Sequence, residues 1–308
     1  MSSRRRAFLA MGSIVAVSLT LAACGGGGGV STTAAAEGTI SVVASTNVYG
    51  DIAQAIGGEY VSVHSIIAKA SADPHGYEAN AQDKLAVSKA QIGIENGGGY
   101  DDFFAQLAKG QLDSGEIVNV SELSGLDTGA DFNEHLWYSE PTIIKLADDL
   151  AARFSAVLPA HAETFTTQAD DFKAGLKEVA DGLAQVKTTF GGESVAITEP
   201  VPLYLLEQAG LTNKTPHEFT DAVESGNDVP AATLVEMKTL LSSGTVALLA
   251  YNEQTASPQT EQVNAEAVAA GVPVVDFNET LPEGSTYLQW MLANVNHLEQ
   301  GLKAAAAK

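Results

Sequence analysis

Four side chains of the metal-ligating kind, His75, His135, Glu199 and Glu279, each stand at or just beyond a strand-like apolar segment, two in each half of the chain. Two imidazoles and two carboxylates cancel the charge of a divalent transition metal and offer up to about six donor atoms if both carboxylates are bidentate. That count leans to Mn2+, because zinc takes four-coordinate sites richer in nitrogen or sulfur. Each residue also has an ordinary reading. His75 beside Pro74 and Gly76 suits a solvated loop, and His135 suits an aromatic cluster with Trp137. Glu199 before Pro200 suits a helix-capping acid, and Glu279 suits plain loop charge, with Asp276 as the alternative acid at that strand end. The remaining histidines fit no motif: His64 reads as a strand residue, His161 and His297 as helix-surface residues, and His217 as a loop residue.

The elements that position these side chains alternate between short β-branched runs and helical patterns. Residues 40–44, 61–67, 91–95 and 116–120 read as strands, and helical patterns occupy 51–56, 81–90 and 101–109. Such alternation predicts parallel strands with crossover helices, and ligands then belong outside the carboxyl ends of the strands. His75 and His135 follow the second and fourth of these strands. Residues 141–158 form an amphipathic helix opened by Pro141. From 160 to 190 there is no proline, and apolar residues recur at three- and four-residue steps, which gives a strut roughly 45 Å long. After Gly191-Gly192 the alternation restarts, with strands at 195–198, 245–251 and 272–277 and helices at 204–209, 261–270 and 287–298. Lys214 to Pro230 is the one long irregular stretch, a surface loop or a cover over a cleft.

Export precedes all of this. Arg4, Arg5 and Arg6 lead into the mostly apolar 7–21, and Leu21-Ala22-Ala23-Cys24 resembles a bacterial lipobox, so residues 1–24 read as a lipoprotein signal and Cys24 as the lipidated residue. Arg5-Arg6-Ala7-Phe8-Leu9 also resembles a twin-arginine motif, which leaves Sec and Tat export both open. Gly25 to Gly38 reads as a flexible tether. Cys24 is the only cysteine, which excludes an internal disulfide and any cysteine-based zinc or iron-sulfur site. The 45% hydrophobic content supplies a large core, and a net charge of -22 excludes nucleic-acid binding, which needs a basic face.

Asp73-Pro74-His75 with Tyr77-Glu78, and His135-Leu136-Trp137, resemble the first and second ligand motifs of the zinc/manganese-binding lipoproteins that serve as solute receptors for ABC-type metal importers. The resemblance covers about residues 39 to 300. It implies an α/β fold of two (βα)-type lobes with mostly parallel sheets, 39–159 and 191–308, joined by one long rigid helix at 160–190, with the metal in the interlobe cleft. It implies Glu199 as third ligand, where zinc receptors often have His and manganese receptors Glu. It implies Glu279 as fourth, where the family often has Thr-Asp-Ser and this chain has Asn278-Glu279-Thr280. No histidine-rich loop is present. The implied function is non-enzymatic: a monomeric lipoprotein, anchored by lipid to the outer face of the cytoplasmic membrane, captures one divalent metal and delivers it to an ABC permease. The alternatives are a zinc-dependent metallohydrolase, which the sequence opposes by lacking His-Glu-x-x-His, and an adhesion lipoprotein whose metal braces the fold.

Overall fold

The computed structural model describes residues 38–69, 76–127, 129 and 132–308. Its first sheet is built from β1 (Ile40–Thr46), β2 (Val61–Ile67), β3 (Ile92–Glu95) and β4 (Ile117–Asn119), laid side by side in the order β2-β1-β3-β4. Its second sheet repeats that order with β5 (Ser194–Ile197), β6 (Thr212–Asn213), β7 (Leu248–Tyr251) and β8 (Val274–Asp276), as β6-β5-β7-β8. Every pairing is parallel. Central strands are buried on both faces and therefore read as near-continuous apolar runs, as in Ile40-Ser41-Val42-Val43-Ala44 and Leu248-Leu249-Ala250-Tyr251. The edge strand β2 alternates instead and exposes Ser62 and His64.

The helices are α1 (Asn47–Gly57), α2 (Ala81–Val87), α3 (Asp102–Ala108), α4 (Val120–Ser124), α5 (Glu140–Val157) and α6 (Ala162–Phe190). They continue with α7 (Leu203–Gln208), α8 (His217–Glu224), α9 (Ala231–Ser242), α10 (Pro258–Ala270) and α11 (Tyr287–Ala306). The long strut expected between the lobes is α6, which buries Phe165, Ala169, Phe172, Leu176, Val179, Leu183 and Val186 along one stripe. That stripe packs on α5 and α11. Two glycines set the crossing with α11. A Cβ built on Gly175 lies 2.5 Å from a Leu288 methyl and one on Gly182 lies 3.0 Å from a Val295 methyl, so the helices approach closely at two points one heptad apart.

One apolar cluster runs from β1 and β3 through α5, α6 and α11 into β5 and β7. A smaller one fills lobe two beneath α8, α9 and α10, with Phe219, Val223, Met237, Leu241 and Val263. Among the described residues, no helix is long and apolar enough to cross a membrane.

The structure corrects the sequence reading within 214–242. The stretch 214–230 is not irregular throughout, because α8 occupies 217–224 and makes His217 a helical residue, its Nδ1 2.8 Å from a carboxylate oxygen of Asp221 one turn on. The helix forms because Phe219 and Val223, one turn apart, are buried against Met237 and Leu241. Helix α9, which the sequence reading does not include, buries Thr233, Met237 and Leu241 at four-residue steps. The signal lipobox, Cys24 and the tether up to residue 37 lie outside the described residues.

Candidate metal centre

Glu199 and Glu279 meet at the carboxyl end of the second sheet. Glu199 follows β5, Asn252 follows β7, and Glu279 lies in the loop between β8 and α11. Strands β5 and β7 are neighbours whose crossovers leave in opposite directions, which is the switch point where parallel sheets place their ligands. Asn252 Nδ2 donates to Glu199 Oε2 and to Glu279 Oε1, both at 2.8 Å, so one buried amide holds two buried carboxylates together. The amide's orientation is fixed from behind, since its Oδ1 accepts the Gln254 N–H at 3.0 Å. Its own N–H donates to Thr198 Oγ1 at 3.1 Å. Thr255 Oγ1 donates a second hydrogen bond to Glu199 Oε2. Gln254 completes the frame: its Oε1 accepts the Glu279 N–H at 2.6 Å and its Nε2 donates to Thr280 Oγ1 at 2.8 Å.

His135 enters from the first lobe, on the loop between α4 and α5, and is 1% exposed. Tyr100 and Trp137 stand edge-on to its ring, with centroids at 6.1 and 5.2 Å. Its tautomer follows from Asn133. Asn133 Nδ2 donates to Pro200 O at 3.1 Å, so Oδ1 faces the imidazole and accepts from Nδ1 at 2.7 Å and from the His135 backbone N–H at 3.2 Å. An amide oxygen only accepts, so Nδ1 carries the proton and Nε2 keeps the lone pair that a metal needs.

A further acid is present that the sequence reading does not select. Glu224, at the end of α8, places Oε1 4.0 Å from His135 Nδ1, and ligand-type atoms of Glu134, His135 and Glu224 lie within 4.8 Å of one another. Burial, then the charges of Glu134, Glu199, Asp221 and Glu279, push the Glu224 carboxyl up to about 8. Burial followed by the Glu279 charge likewise raises the Tyr100 hydroxyl well above its ordinary value. A site whose acids repel one another in this way is costly until a cation arrives, and its donors, imidazole nitrogen and carboxylate oxygen, fit a divalent transition metal. Glu224 also borders two clefts of about 540 and 510 Å3, one lined by Gln254 and Thr255 and the other by Asn133 and Pro200.

Of the sequence candidates, Glu199 and Glu279 are brought together directly. His135 is tied to them through Glu224, which lies beside it and feels both charges. Asp276 sits farther out, half-buried at the end of β8, where Oδ1 accepts the N–H of exposed Glu253 at 3.2 Å. Burial, then the Glu253 charge, raise Asp276 to about 6. His75 lies outside the described residues. The sequence reading does not single out Asn133, Asn252, Thr255 and Glu224; for Asn252 one signal exists, its place just past the end of a strand at the switch point.

Known proteins share this architecture. A profile of the family described as zinc-uptake complex component A, periplasmic (ZnuA) matches residues 42–301. Among relatives, the manganese-binding lipoprotein MntA of Bacillus subtilis is 28% identical over 173 residues, 54% of this chain and 55% of that protein. The match thus spans about half of that relative's length. The iron ABC transporter substrate-binding lipoprotein MtsA of Streptococcus pyogenes serotype M1 is 23% identical over 319 residues, 97% of this chain and 99% of that protein. Two solved structures share the fold. The periplasmic zinc-binding protein TroA of Treponema pallidum superposes with a TM-score of 0.70 at 17% identity, covering 86% of this chain and 99% of its own. An Mn-bound mutant of a periplasmic metal-binding protein from Candidatus Liberibacter asiaticus gives 0.68 at 18% identity, covering 85% and 98%. The profile match runs through both sheets and every described residue of the site: the chain belongs to the zinc-uptake complex component A (ZnuA) family.

Proposed function

We propose that this protein is an extracytoplasmic, lipid-anchored receptor that captures one divalent transition metal and delivers it to an ABC permease for import. The observation that carries the reading is the buried Glu199–Asn252–Glu279 bridge, together with His135 beside Glu224, whose carboxyl feels both charges, and with the imidazole proton on Nδ1. His75, His135, Glu199 and Glu279 are the proposed ligands, Cys24 the lipidated residue, and the permease the partner that receives the ion. The metal is cargo, and nothing in the proposed role requires a bond to be made or broken. The relatives' names span manganese, iron and zinc, which suits a donor set of nitrogen and oxygen that accommodates several first-row ions. Mn2+ is proposed ahead of Zn2+ on the number of oxygen donors.

The test is metal content and competitive Mn2+ and Zn2+ titration of the chain from residue 39 onward, beside His135→Ala and Glu199→His. One ion per chain is expected, with His135→Ala losing it and Glu199→His moving the preference toward zinc. No stoichiometric metal in the unmodified chain would sink the receptor reading.

A further inference from the structure

The hydrogen bonds on one oxygen of Glu199 reach beyond ligand identity. Oε2 accepts from Asn252 Nδ2 at 2.8 Å and from the Thr255 hydroxyl, which together occupy the two in-plane lone pairs of that atom. Asn252 is 2% exposed and cannot turn away, because Oδ1 holds the Gln254 N–H and its second amide proton is on Glu279 Oε1. A carboxylate grips a metal in bidentate fashion only with both oxygens, and Oε2 is already committed to this clamp.

We infer that Asn252 and Thr255 hold Glu199 to one-oxygen coordination and thereby set the preference of the site among divalent metals. This rests on the receptor reading above and deepens it. With Glu199 giving one oxygen and not two, the donor count of the proposed ligand set falls from about six to about five, which narrows the advantage of Mn2+ over ions content with fewer ligands. Asn252 and Thr255 are positioning residues, since each acts through Glu199. The two differ in cost. Removing Asn252 leaves two buried carboxylates without the amide they share, whereas half-buried Thr255 lies in the loop before α10 and tolerates replacement.

The test compares the unmodified chain with Thr255→Val, Thr255→Ala and Thr255→Ser by competitive Mn2+ and Zn2+ titration and by X-ray absorption of the Mn2+-loaded proteins. Loss of the hydroxyl in Val or Ala frees one lone pair of Oε2. The Mn2+/Zn2+ affinity ratio is expected to move toward Mn2+ by about fivefold or more, with the manganese gaining about one oxygen neighbour. Thr255→Ser, which keeps the donor, is expected to match the unmodified chain in both readouts. An unchanged ratio and coordination number in Val and Ala, a uniform change for both metals, or a Ser variant that moves as far as Val overturns the inference and leaves the receptor reading standing. Absence of stoichiometric metal from the unmodified chain overturns both.

Discussion

Glu95 is 8% exposed at the end of β3, and burial first, then the Asp101 charge, push its carboxyl up to about 7 from an ordinary 4.5. The native state therefore holds this proton more tightly than the unfolded chain. The associated stability is complete below about pH 4.5 and is lost as pH rises through about 7. Glu95→Gln keeps an acceptor for the Asn119 amide, which donates to Glu95 Oε1 at 2.9 Å, and removes the charge. It is expected to be more stable than the parent by up to about 3 kcal/mol at pH 8 and to match it at pH 4.5. Thermal unfolding at the two pH values decides the matter, and an equal difference at both would refute it. At this scale the sequence shows only residues that announce their chemistry. Glu199 and Glu279 stand out as candidates because a carboxylate just past a strand invites that reading, whereas His135, in the loop after α4, stands out only through its His135-Leu136-Trp137 motif. Asn252, Thr255 and Asn133 are not, because amides and hydroxyls are common in loops and only the fold shows which carboxylate or ring they touch.

Helix α6 and helix α11 meet at Gly175 and Gly182, where the side chains of Leu288 and Val295 fill the space a Cβ would take. Gly182→Leu is expected to wedge the helices apart and lower stability by about 1 to 3 kcal/mol, beyond what helix propensity returns. A denaturant melt reads this directly, and a midpoint unchanged from the parent would show that the contact yields without cost. The strut is legible in the sequence because its apolar stripe recurs over some 29 residues. The same reasoning misses α8 and α9 for a physical reason. α8 has two turns and two large apolar anchors, Phe219 and Val223, so its periodicity is too short to stand out from a polar loop. α9 has its stripe, but exposed Val235 on the opposite face blurs the pattern.

At the largest scale, the two lobes share a core that does not stop between the sheets. Direct bonds reinforce it: Tyr138 donates to Asn278 O at 3.0 Å, Tyr287 to Trp137 O at 2.6 Å, and Asn47 exchanges two bonds with Leu281 at 2.9 and 3.0 Å. Under the proposed role, chelation of the metal is therefore expected to leave far-UV circular dichroism unchanged. The melting temperature should fall only by what mass action dictates, about 4 kcal/mol of lost stabilisation when the ion had been at a thousandfold its Kd. Unfolding on chelation would instead mark the metal as a structural brace. The strand-and-helix alternation predicts the first sheet, three of the four strands of the second and their parallel sense; it misses β6, whose two exposed polar residues, Thr212 and Asn213, show no apolar pattern. The joining of the cores is beyond it, since periodicity gives the buried face of an element and not what it is buried against. Within this frame Asn133 has a double attachment. Its amide nitrogen is tied to Pro200 in the second lobe and its oxygen to the imidazole proton of His135 in the first. Any rocking of the lobes that stretches the Pro200 bond also loosens the constraint on which ring nitrogen carries hydrogen. The tautomeric state of His135 is thus expected to gauge lobe separation, with the Nδ1-protonated ring losing its hold as the Asn133–Pro200 bond lengthens, a change that nitrogen-15 shifts of the imidazole would read.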